Sequence, residues 1–349
     1  MTAITSTATM NNALRNALMS LQTELTQRQK ELSTGVVADL GQSLGVSTGR
    51  DMALELNRED IISIQASNGL VNSRLGATQT ALGSLSTSAQ QMLQTLVAGQ
   101  SAATGADPST LQAQARSALA SFTATLNTND GSAFIFGGIK NDAPPMADYF
   151  ATPPSANKLA IDAAFSSAFG MSQTSAGVSS ITPAQIQTFL TGPFAAQFNA
   201  PNWSNWSSAS DQPMQSRISA SQTADTSISA NAPALRELAM GYAMLSDLGM
   251  PNLSAATAAT VQATALQHIN HAVSGLTQLQ ASGGAMQAGV KTANDALAVQ
   301  QTFLETQIGS LENVDPATTA TRVNALMTQI ETSYTLTSKI QQLSLAKYL

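Results

Sequence analysis

The sequence of 349 residues contains no cysteine, which excludes disulfides, thiolate metal sites and thiol catalysis. No run of eighteen apolar residues occurs, so no segment reads as a membrane-spanning helix and no membrane insertion is expected. Charge is scarce: Asp, Glu, Lys and Arg make up 10% of the chain, against roughly 25% in ordinary soluble domains. The net charge is -6 and the longest basic cluster is Arg28-Gln29-Lys30, too little to neutralise a phosphate backbone, so nucleic acid is not an expected partner. The opening MTAITSTATM has neither a basic n-region nor an apolar h-region, so no cleaved secretory signal is expected. That fits a cytoplasmic protein, or one exported by another route. A surface so poor in like-charge repulsion is compatible with burial against other copies, and also with a neutral monomer.

What the chain does have is heptad periodicity. Alternating steps of three and four from Leu54 pass through Asn57, Ile61, Ile64, Asn68, Val71, Leu75, Thr78, Leu82, Leu85, Ala89, Met92 and Leu96, and ten of these thirteen positions are apolar. Six heptads without proline predict a coiled-coil helix about 65 Å long, too long to fold up within one compact domain. Asn57, Asn68 and Thr78 sit on its seam, where a polar side chain lowers stability but can fix register.

A matching count runs from Ile269 to Leu311, with eight of thirteen positions apolar. Where it turns polar, Leu279, Met286 and Ala293 lie beside it, as a straight helix drifting against a seven-residue repeat requires. Two such helices in opposite halves of the chain predict an antiparallel pair. A further helix through Leu111, Ala115, Leu119, Phe122 and Leu126, opened by GADPS, completes a bundle.

Both ends are amphipathic. Leu14, Leu18, Leu21, Leu25 and Leu32 follow the heptad at the N-terminus. At the other end Asp315 and Pro316 predict a helix start, followed by the apolar face Val323, Leu326, Ile330, Tyr334, Leu336, Ile340 and Leu343. These two helices either pack on each other within one chain or are completed by other subunits.

Between Phe134 and Pro213 lie eight of the ten Phe, both Trp and eight of the twelve Pro, so this region can build a core of a different kind. It predicts a small mixed α/β insert with at least one helix, capped by Thr182 and Pro183. The expected fold class is therefore mainly α. It is a long antiparallel coiled-coil bundle made by N- and C-terminal arms, with the insert between them. The segments are 1–34, a terminal helix; 35–53, a linker; 54–133, the first arm; 134–230, the insert; 231–313, the second arm; and 314–349, the C-terminal helix.

Signals for chemistry are weak. His268 and His271 share a helix face, but no carboxylate or cysteine follows nearby to finish a metal site, and they read better as a solvated pair. No nucleophile elbow, phosphate-binding glycine loop or HExxH sequence is present. No catalytic, cofactor-binding or metal residue is assigned, no cofactor is expected, and the chain does not read as an enzyme. NWSNWSS carries glycosylation acceptors at Asn202 and Asn205 and a Trp pair, Trp203 and Trp206, that could stack on sugar but reads better as core. The tripeptide Ser-Thr-Gly occurs twice. Gly35 reads as the stop of the first helix, and Thr48 with Asp51 as a variant capping box opening the long one.

Four stretches then carry a resemblance: LQTELTQRQKELSTG, NGLVNSRLGATQTALGSL, GSAFIFGGIKNDAPPM, and the C-terminal TRVNALMTQIETSYTLTSKIQQLSLAKYL. Through them the chain resembles the bacterial flagellin superfamily, and within it the hook-associated proteins of the hook-filament junction. After Gly35 the usual continuation of a basic pair, Ile and an Asp-rich Ala-Gly segment is replaced by VVADLGQSLGVSTGR. The resemblance implies a structural subunit exported unfolded through the flagellar type III apparatus and located outside the cell. Terminal helices would build an axial tube and the coiled coil a surrounding shell. Its partners would be further copies of itself, a hook-associated protein, flagellin and an export chaperone. The residues expected to carry assembly are Leu14, Leu18, Leu21 and Leu25 with Leu336, Ile340, Leu343 and Leu345. Filament flagellin, and a glycan-binding surface module, are the alternatives.

Overall fold

The computed structural model describes residues 7–101 and 107–345. Contacts divide the chain into two compact units, Ser63–Leu297 and Met1–Ile62 with Ala298–Leu349. The fold is mainly α. Nine α-helices among the described residues run as α1 (Thr7–Thr34), α2 (Leu40–Leu44), α3 (Thr48–Ser101), α4 (Pro108–Leu126), α5 (Ala156–Phe169), α6 (Pro183–Phe189), α7 (Pro233–Asp247), α8 (Ala255–Glu312) and α9 (Pro316–Leu345). Among the described residues one antiparallel pair, β1 (Gln215–Arg217) with β2 (Thr223–Asp225), makes a two-stranded sheet.

In the larger unit the heptad count translates directly into burial. Every seam position of α3 from Ile64 to Leu96 is buried, including the polar Asn68 and Thr78. Across the seam α8 runs antiparallel, fixed by Asn68 Nδ2 donating to Asn294 Oδ1 at 2.8 Å and Gln79 Nε2 donating to the Gln280 carbonyl at 2.8 Å. The drift expected of α8 is present, since Ala293 is buried beside the half-buried Asn294. Helix α4 lies along α7, and all five of its expected core residues are buried. Asp107 caps α4, accepting from the amides of Ser109 and Thr110. Helices α7 and α8 approach closely at Gly241, where a Cβ would stand 2.5 Å from Ile269 Cγ1.

The segment between the arms adds aromatic rings to this core. Phe165, Phe189, Phe194, Phe198, Trp206 and Tyr149 follow one another with ring centroids 4.8 to 5.7 Å apart. They belong to one continuous apolar cluster with the helices of the arms. Thr182 and Gln185 form a capping box at α6. The β1–β2 hairpin sits on a second, smaller cluster of Val71, Leu75, Ile218, Val290 and Ala293, and Asn68 Nδ2 also donates to the Ile218 carbonyl.

In the smaller unit Gly35 ends α1 as expected, with φ +78° and its amide on the Glu31 carbonyl at 2.8 Å. The following linker bridges the segment between α8 and α9. Val36 pairs with Asn313, Val37 N donates to Glu312 O at 2.9 Å and Val314 N to Gly35 O at 3.0 Å. Asp315 caps α9 through the Ala317 amide and the Thr318 hydroxyl. The expected capping box at Thr48 is not formed. A 3-10 turn at Gly45–Ser47 runs straight into α3, Thr48 is itself helical, and its hydroxyl donates back to Gly45 O. The preceding turn already occupies the place of a cap, which leaves Asp51 to turn inward and become buried.

A candidate assembly surface

The smaller unit holds the residues expected to carry assembly. Helices α1 and α9 pack antiparallel, and their seam is tight only near the linkers, where Thr319, Val323 and Leu326 are buried. Beyond that point the pair is held by polar links. Arg322 donates to Glu24 Oε1 at 3.0 and 2.8 Å, and Gln22 Nε2 to the Tyr334 hydroxyl at 2.9 Å. Such exposed links contribute little, about 0 to 1 kcal/mol for an ion pair.

Leu14, Leu18, Leu21 and Leu25 are each only half-buried, and Leu21 faces α9 across a shared groove. Ile340 is half-buried on α9, whereas Leu336 is 48% and Tyr334 52% exposed. The side chains of Leu343 and Leu345 lie outside the described residues. In α9 the seam is completed by Ser333 and Thr337 rather than by the apolar pair, so Tyr334 and Leu336 flank it and widen the apolar face. A groove of about 360 Å³ between the helices is lined by Leu21, Thr328, Thr332 and Leu336.

Leu32 departs from the expected heptad. It is exposed, and Glu31 takes the buried position next to it. The helix ends three residues later, and a carboxylate is needed there: Glu31 accepts from Arg28 at 2.8 Å and from the Ala38 amide at 3.3 Å.

Heptad counting missed a second set of exposed apolar side chains in the same unit. Val299 and Phe303 on α8 are 71% and 62% exposed, and Met52 and Leu56 on α3 are 63% and 66%. Each pair is spaced i, i+4 and so shares a helix face. The signal was available, because both pairs fall off the seam positions of their helices. Phe303 is the exception among the phenylalanines, for the other nine are buried or half-buried.

Of the groups that could suggest chemistry, His271 is exposed, and the others are paired. His268 Nδ1 lies 2.5 Å from Glu237 Oε2 on α7, a partner that the sequence count did not anticipate. Tyr149 donates to Asp247 at 2.6 Å, and Lys158 reaches the same oxygen at 3.2 Å. Burial pushes the Asp247 carboxyl up against the pull of those two partners. Burial, then the charge of Asp247, pushes the Tyr149 hydroxyl well above its usual range. Among the described residues no group of three metal-ligating side chains converges, and no helix is long and apolar enough to cross a membrane. Trp203 and Trp206 are buried, 5.9 Å apart and stacked, so they present no face to a sugar.

Comparison with known proteins agrees with this architecture. The bacterial flagellin N-terminal helical region matches residues 5–141 and the bacterial flagellin C-terminal helical region matches residues 266–349. No curated protein matches the chain. Among solved structures, a "putative flagellar hook-associated protein" from Vibrio parahaemolyticus shares the fold. Its TM-score is 0.52 at 14% identity, covering 76% of this chain and 97% of that one. With the two helical regions of flagellin matched in its two arms, in their order, the chain belongs to the bacterial flagellin family.

Proposed function

We propose that this chain is a structural subunit of the flagellar axial assembly, seated at the junction between hook and filament, and that α1 and α9 carry its self-association. Flagellin-family proteins build the exported axial structures of the flagellum, and the solved relative described as hook-associated favours the junction over the filament. The observation that carries the mechanism is the half-buried leucine face of α1, opposite Leu336 and Ile340 of α9. Two helices alone are marginal in water. Enclosing each half-exposed Leu or Ile against a neighbouring copy recovers part of the roughly 1.5–3 kcal/mol that full burial contributes. Linkage then makes the pair more stable assembled than free. Further copies of the chain, a hook-associated protein on one side and flagellin on the other are the partners this reading requires, with an export chaperone before assembly.

Ile340→Asp places a charge where an apolar contact is needed. It is expected to abolish incorporation into cell-attached flagella while the secreted protein keeps its helical signal and thermal midpoint. Normal assembly of that variant would sink the terminal-helix mechanism. Deletion of the gene separates junction from filament subunit. Hooks without filaments, with flagellin monomer in the medium, are expected; long filaments grown by the purified protein alone would make it a flagellin instead.

A further inference from the structure

Asp51, in the first turns of α3, is 4% exposed, and its Oδ1 has no hydrogen-bond partner. Its side chain meets that of Glu312, the last residue of α8, and Glu55 stands one turn along on the same face of α3. The cation that acts on Glu312 is Arg58, and it is already held at 2.7 Å by Glu55 and at 3.4 Å by Glu59. Two carboxylates are thus brought together with one oxygen buried and bare, while the nearby Arg58 spends its Nη2 on Glu55 and Glu59 and its buried Nε has no hydrogen-bond partner. Among the described residues they do not converge with a third ligand as a metal set would. The species that satisfies such a pair is a proton, which turns one carboxyl into a donor for the other.

The pair sits at a joint. Glu312 carries the carbonyl that accepts the Val37 amide, its neighbour Asn313 pairs with Val36, and Val314 N donates to Gly35 O. We propose that Asp51 and Glu312 form a proton-operated latch on the bridge between the 35–39 and 312–314 connections, closed while the carboxyls share a proton and loosened when both are ionised. The latch belongs to the single chain and stands or falls independently of how the chain assembles.

The direction of the pH effect follows from the surroundings. Burial first, then the charges of Asp51 and Glu55, push the Glu312 carboxyl up, against the pull of Arg58. A group held above its unfolded value binds its proton more tightly in the folded joint. Its stabilisation is whole below the ordinary carboxylate range and is lost as the pH rises through the raised value. The bridge is therefore tightest in acid and loosest at neutral and alkaline pH.

Amide hydrogen exchange on the full chain, corrected for the intrinsic pH dependence of exchange, tests this at Val37 and Val314 between pH 5 and 8. Protection is expected to fall by about tenfold for each unit by which Glu312 holds its proton above the ordinary range, while amides of the α4–α7 core stay level. Asp51→Asn keeps a donor toward Glu312 at every pH and is expected to give high, flat protection. Glu312→Gln is expected to do the same and serves if Asp51→Asn loses its helical signal. A wild-type profile already flat, or one slope shared by the wild type and both variants, would overturn the latch.

Discussion

Along α3 from Ile64 to Leu96 every seam position is buried, whereas along α1 from Leu14 to Leu25 every seam leucine remains half-exposed, although both helices repeat at the same spacing. The difference lies in the number of neighbours rather than in the pattern. The upper seam of α3 joins a cluster that also takes in α4, α7, α8 and the aromatic rings. Helix α1 packs along one partner, α9. A heptad therefore specifies which face wants covering, and tertiary context decides whether the monomer covers it. Where it does not, the uncovered face is the candidate interface.

The sharpest way to break this comparison is to attack the unit that should be self-sufficient. Trp206 is buried among Tyr149, Phe198 and Trp203, with centroids 5.0, 4.8 and 5.9 Å away. Its indole nitrogen has no hydrogen-bond partner, so its contribution is burial and packing. Trp206→Ala is expected to cost about 3–5 kcal/mol in urea unfolding of the monomer. A loss below 1 kcal/mol would mean that the aromatic cluster is no core at all.

A smaller effect is expected where the same unit buries polar groups. Tyr149→Phe removes the hydroxyl that donates to Asp247 and leaves the carboxylate with Lys158. Loss of a hydrogen bond to a charged group is expected to cost about 1.5–3 kcal/mol at pH 7. The Asp247 carboxyl is held above its ordinary value, so the stability it contributes is present in acid and lost as the pH rises through the raised value. Removing the hydroxyl, which pulls that value down, widens the loss at neutral pH. Unfolding at pH 7 and pH 4 should show the larger difference from wild type at pH 7. An equal or larger loss at pH 4 would mean that Asp247 is not ionised beside Tyr149.

Much of this was legible beforehand because long periodic helices declare their own faces. The α3 seam, the α4 core, the Gly35 stop and the Asp315 and Thr182 caps all follow from spacing and local backbone chemistry. What was not legible depended on partners distant in sequence. Thr48 reads as a cap until the 3-10 turn before it is known, and Glu31 reads as a surface residue until the Ala38 amide arrives. The His268–Glu237 contact joins residues 31 apart on different helices. The ring cluster could be anticipated from composition, but not its continuity with the arms. The apolar pairs on the outer faces of α3 and α8 went unnoticed for a simpler reason: a count that follows one seam ignores the side it does not visit.

That outer side gives the smallest expected effect on the monomer and the finest test of the comparison. Phe303 and Phe189 are the same residue type, one 62% exposed on α8 and the other buried between Phe165 and Phe194. Exposed substitutions away from caps and buried networks usually change stability by less than about 0.5 kcal/mol. Phe303→Ser is therefore expected to leave the unfolding midpoint of the purified chain within that margin. If the uncovered apolar faces of the smaller unit are interfaces, the same substitution should reduce incorporation into flagella, because aromatic anchors carry a large share of the energy at protein contacts. Comparing Phe303→Ser with Val299→Ser one turn away separates an interface from a lone exposed ring. A shared face predicts that both lower incorporation and that neither moves the midpoint. Full incorporation of both would confine assembly to the α1–α9 pair and leave Phe303 as solvent-facing surface.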